Sequence, residues 1–139
     1  MSHPPSPRRP GGITALGVFF AAGAVISLAS GAALLFPGSV VEPMWRLNER
    51  AHAAFVGMGA WALVLLAAVG VACAAAARGL WSGRRWGRRL AIVLIAINLI
   101  GDAVNVVLGT EPRALIGLPI AALLLLFLAT RRVRTFFAT

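Results

Sequence analysis

Four long apolar runs, parted by short polar stretches, set the rhythm of this chain. They cover residues 13–36, 51–77, 90–108 and 114–130, and about 20 apolar residues suffice to cross bilayer hydrocarbon as a helix. The pattern predicts an all-α protein, a four-helix transmembrane bundle. Residues 1–12, rich in proline, read as a disordered tail, and residues 131–139 as a basic, aromatic C-terminal tail. A cleaved signal peptide is the rival reading of the first run. Signal cores usually stop at about 7–15 apolar residues, and this run continues past that.

Small residues mark where helices can approach one another. Gly23, Ser27 and Gly31 recur every fourth residue in the first run, a stripe that admits a close neighbour. Ala53, Gly57, Gly59 and Ala60 give the second run a narrow face, and its excess length predicts tilt or an interfacial end. Both outer turns pair a glycine with a following Glu-Pro: Gly38 with Glu42-Pro43, and Gly109 with Glu111-Pro112. Proline suits a helix start because the N–H it lacks would be unpaired there anyway.

Composition agrees with a chain that faces lipid. The residues are 60% hydrophobic and only 12% charged, with a mean hydropathy of +0.88, against about 25% charged in a soluble domain. The net charge of +9 raises the question of nucleic acid. Its distribution excludes that partner, because the arginines cluster in short segments beside apolar runs. With four spans, ten arginines fall on one side, in the N-terminal tail, residues 78–89 and the C-terminal tail. Only Arg46, Arg50 and Arg113 fall on the other, offset by Glu42, Glu49 and Glu111. Short arginine-rich loops stay cytoplasmic, so both termini are expected inside a bacterial cytoplasmic membrane.

That charge brings a candidate surface. Trp81 and Trp86 stand among Arg84, Arg85, Arg88 and Arg89, an aromatic–basic belt suited to the inner leaflet and its anionic lipid headgroups. Trp45 suits the opposite boundary. Cys73 is the only cysteine, which excludes an internal disulfide and a thiolate zinc site. Of the two histidines one lies in the tail, so a bis-histidine haem fails too. No cofactor and no metal are expected.

The third run carries the candidate intramembrane chemistry. Asn98, Asp102 and Asn105 are spaced i, i+4, i+7 and share one helical face. Twelve Leu, Ile and Val residues favour insertion of this run, each by about 0.3–0.6 kcal/mol, against about 2.5–3.5 for one central Asp. The helix inserts with a modest margin, and partners for the stripe would widen it. Asp102 lies about 9 Å below the outer end, at 1.5 Å per residue. The same count brings Ser30, Gly117 and Pro119 to its layer and Ser27 to that of Asn98, with His52 above. Pro119 leaves the Leu115 carbonyl without its helical donor, an acceptor for a protonated Asp102. Ser30, His52 and Asp102 do not make a hydrolase: His52 sits too high, and no glycine-rich oxyanion motif accompanies the serines. No catalytic residue is expected.

The segments GLWSGRRWGRRLA, NLIGDAVN and EPRALIGLPIAALLL resemble uncharacterised small four-span bacterial membrane proteins with a GLWxGxRWG inner loop. The matching positions are Gly79, Leu80, Trp81, Gly83, Arg85, Trp86 and Gly87, then Asn98, Gly101 and Asp102, then Gly117, Pro119, Ile120 and Ala121. The resemblance spans the last two-thirds of the chain and implies architecture, with no activity attached. The resulting expectation is a non-enzymatic structural or accessory membrane protein, as a homo-oligomer or within a larger membrane complex. The alternative is a small oligomeric transporter or channel that uses Asp102 as a proton or cation site.

Overall fold

The computed structural model describes residues 8–138. The start of the tail, residues 1–7, and Thr139 lie outside the described residues. The described chain is helical with no strand: α1 (Gly11–Leu35), a 3-10 turn (Glu42–Leu47), α2 (Glu49–Met58), α3 (Ala60–Trp81), α4 (Arg85–Leu108), α5 (Ala114–Ala129) and α6 (Arg131–Phe136). Three of these, α1, α3 and α4, are long and apolar enough to cross a membrane, and α5 is a shorter apolar helix. The chain divides into two compact units, Val18–Ala75 and Met1–Gly17 with Ala76–Thr139.

Several boundaries differ from those expected. The second apolar run is two helices rather than one span over 51–77, because Gly59 adopts φ +59° and ψ −133° between α2 and α3. Side chains rarely tolerate that geometry, so the glycine ends one helix and lets the next restart. The crossing-length helix is therefore Ala60–Trp81. Ahead of the break, Asn48 caps α2 by accepting from the Ala51 N–H at 3.0 Å.

The stretch 78–89 is no loop either. α3 runs on to Trp81 and α4 begins at Arg85, leaving only Ser82, Gly83 and Arg84 between them. Gly83 is left-handed at φ +64°; its N–H reaches the Leu80 carbonyl at 3.2 Å, and the Arg84 N–H reaches Gly79 at 3.0 Å. This paired closure satisfies two carbonyls that the helix end would otherwise leave open. At the far end of α4, Gly109 repeats it with φ +65° and bonds from Gly109 to Val106 and from Thr110 to Asn105. At the N-terminus, Gly11 and Gly12 are already helical, and α6 gives order to the C-terminal stretch.

In the unit of residues 18–75, the stripe of Gly23, Ser27 and Gly31 meets α3. Ser27 Oγ donates to the Leu66 carbonyl at 2.8 Å, and a Cβ on Gly31 would lie 3.8 Å from that of Leu66. In the other unit α4 packs along α5. There the backbones of Gly79 and Gly87 touch, so a Cβ on either would collide with the other.

Candidate functional site

Among the described residues, Asp102 is the only acid inside a crossing-length helix. It points across α4 at Gly117 of α5, where a Cβ would collide with the carboxylate. The glycine is thus a socket for the acid, at the layer that helical rise assigned to it. On its own helix, Asp102 Oδ2 accepts from Asn98 Nδ2 at 3.2 Å, the i, i+4 contact their spacing requires. The expected donation from Asp102 to the Leu115 carbonyl is not among the hydrogen bonds of the described residues; the carboxylate's partner is Asn98. Asp102 is half-buried, whereas Asn98 is exposed. Beside them Gly101 is exposed too, with nothing within 4 Å of where its Cβ would be. Asn98, Gly101 and Asp102 therefore form a notch, lined by an amide and a carboxyl, on the flank of an otherwise apolar helix.

The other members of the expected polar layer have different employment. Asn105 belongs to the helix end: its side-chain Oδ1 accepts from Thr110 Oγ1 at 3.0 Å while its carbonyl closes the turn. Ser30 Oγ, in the unit 18–75, donates to the Ile26 carbonyl of its own helix at 2.8 Å and lies 3.9 Å from Met44 Sδ. His52 stacks on Trp45, with ring centroids 5.0 Å apart and planes 21° apart, and Phe55 tilts against the same indole at 5.7 Å. Trp45 itself is buried against these rings.

Around that cluster lies a cleft of about 550 Å³, lined among others by Ser39, Glu42, Arg46, Glu49 and His52. Ser39 Oγ and Trp45 Nε1 are buried here without a hydrogen-bond partner among the described residues. Sequence reasoning passed over Ser39, since a serine in a turn carries no signal of burial. Glu42 is occupied locally, accepting from the Gly38 N–H.

The aromatic–basic segment is largely built into the fold. Arg88 aims Nε and Nη2 at the Leu128 carbonyl, at 3.0 and 2.8 Å, and so satisfies an orphan acceptor at the end of α5. Arg85 reaches the carbonyls of Phe137 at 3.1 Å and Ala138 at 2.6 Å, beyond the end of α6. Trp81 covers Gly17, donates Nε1 to the Thr14 carbonyl at 3.4 Å, and accepts at its own carbonyl from Arg9. The Trp86 ring lies over Gly79, 3.1 Å from where a Cβ would stand. Arg84 and Arg89 are exposed. No sequence signal separates arginines that hold carbonyls from those that face outward, because the partners are backbone atoms some 40 to 53 residues away.

No group of three or more His, Cys, Asp or Glu side chains among the described residues could hold a metal ion. No protein-family model, curated protein or solved structure matches the chain.

Proposed function

We propose that this chain is a non-enzymatic accessory protein of a bacterial cytoplasmic membrane, with four spans and both termini inside, and that it holds another membrane helix against the notch at Asn98, Gly101 and Asp102. One observation carries the reading. Asn98 is exposed on a crossing-length helix, and its bond to Asp102 uses one of two amide hydrogens and leaves the amide oxygen over. Polar side chains at such depth face protein or a water-filled cavity rather than acyl chains. Gly101, open beside it, lets a second backbone come close.

Cysteine placed at residue 98 or 101, in a Cys73→Ala background, tests this by crosslinking in intact membranes. A protein adduct is expected from these positions and none from Val107, which is 84% exposed on the same helix. Equal crosslinking from residue 107, or lipid-phase labelling of residue 98 at the level of residue 107, overturns the reading.

A further inference from the structure

The arginines of residues 84–89 and 131–134 fall into two groups with different fates. Arg85 and Arg88 end on backbone carbonyls. Arg84, Arg89, Arg131, Arg132 and Arg134 are all exposed, and they belong to the same end of one unit. Arg88 joins the start of α4 to the end of α5 through Leu128, and α6 follows directly after Thr130. The only acids in this unit are Asp102 and Glu111. Asp102 stands 13 residues along α4 from Arg89, or about 20 Å at 1.5 Å per residue. That exceeds the screening length of about 8 Å at physiological salt. Within the unit the positive charge is uncompensated.

The segment that carries three of these arginines is also held in place. Val133 of α6 and Phe137 just after it are buried, at 1% and 3% exposure, and Arg85 donates to the carbonyls of Phe137 and Ala138 beyond the helix end. Phe136 sits against Gly83 of the α3–α4 turn, 3.3 Å from where a Cβ would be. The arginines of α6 are thereby fixed beside Arg84 rather than trailing on a loose tail. Depth completes the picture. The apolar run of α4 begins at Leu90, immediately after Arg89, and that of α5 ends at Ala129, two residues before Arg131. Trp81 and Trp86, 36% and 44% exposed, flank this boundary as amphipathic rings do.

We propose that Arg84, Arg89, Arg131, Arg132 and Arg134 form a preorganised site for the phosphodiester of an anionic phospholipid. Guanidinium forks match phosphate oxygens two at a time, and a fixed array loses less freedom on binding than a mobile tail. Only a headgroup arrives at this depth with its acyl chains already alongside α4 and α5.

The test uses the full chain in neutral detergent, with lipid retention read by native mass spectrometry and melting temperature followed in parallel. Phosphatidylglycerol is expected to be retained at least tenfold better than phosphatidylcholine and to raise the melting temperature. Inorganic phosphate at the same concentration should do neither. Replacing all five arginines by glutamine should remove the preference. Arg88→Gln should lower the melting temperature and leave the preference intact, which separates headgroup binding from structural support. Equal retention of the two lipids by the unaltered chain overturns the proposal whatever the variants do. So does an equal response to inorganic phosphate, or stronger capture of an RNA oligonucleotide than of phosphatidylglycerol.

Discussion

Asp102 and Gly117 form a knob and a socket, and each can be altered separately. Gly117→Ala pushes a methyl into the carboxylate and is expected to destabilise the α4–α5 pair by about 1–3 kcal/mol, as overpacking does; thermal melting in detergent measures it. Asp102→Asn keeps the shape and a partner for Asn98. A packing role predicts a melting temperature within a degree or two and unchanged crosslinking at residue 101. Loss of ion or proton flux in reconstituted vesicles with folding intact would instead favour the transporter reading. Gly79→Ala is harsher, because its methyl meets the Gly87 backbone rather than a side chain that can swing away. A loss of about 3 kcal/mol is expected, at the upper end of that range. The polar stripe was legible in part. Asn98 and Asp102 bond as their spacing requires, and rise per residue brought Gly117 to the acid. Asn105 left the group because a helix ending in left-handed Gly109 turns Thr110 back onto it, and hydropathy does not see caps.

Among the helices, existence was plain in the apolar runs and boundaries were not. Hydropathy counts an apolar residue the same on either side of a break, so Ala51 to Met58 merged with the span that follows Gly59. The break itself rests on backbone geometry that only glycine accepts cheaply. Gly59→Ala is expected to cost about 1–3 kcal/mol and to extend α2 into α3, visible as slower hydrogen exchange at residues 57–61. The arginine-rich turn was misread for the opposite reason: charge suggested a loop, yet arginine is a good helix former. The GLWSGRRWG segment has a plain mechanical content. Gly83 makes the reversal, Gly79 and Gly87 let two backbones touch, Trp86 roofs Gly79 while Trp81 covers Gly17, and Arg85 ties down the residues just after α6.

For the molecule entire, the proposed orientation rests on the distribution of guanidinium groups. Phe19, Ile26, Ile97, Ile116 and Leu126 are each more than half exposed, a surface for acyl chains rather than water. Reporter fusions at residues 1 and 139 are expected to signal the same, cytoplasmic side, and a reporter within residues 37–41 the opposite one. Signals from opposite compartments at the two ends would remove the four-span arrangement and with it the inner position of the arginines. Charge asymmetry could be read from sequence because it needs only a count. The number of arginines engaged at home could not, since that depends on which carbonyls folding brings within reach.

The brevity of α5 has a consequence for the surrounding lipid. Sixteen residues make a rod of about 24 Å, short of the roughly 30 Å of hydrocarbon it would have to cross in the four-span arrangement. Leaning cannot lengthen a rod that is already too short, so the leaflets would have to pucker inward around it at a fraction of a kcal/mol per ångström. In that arrangement the protein is expected to gather where membranes are thin and to thin the ones it enters.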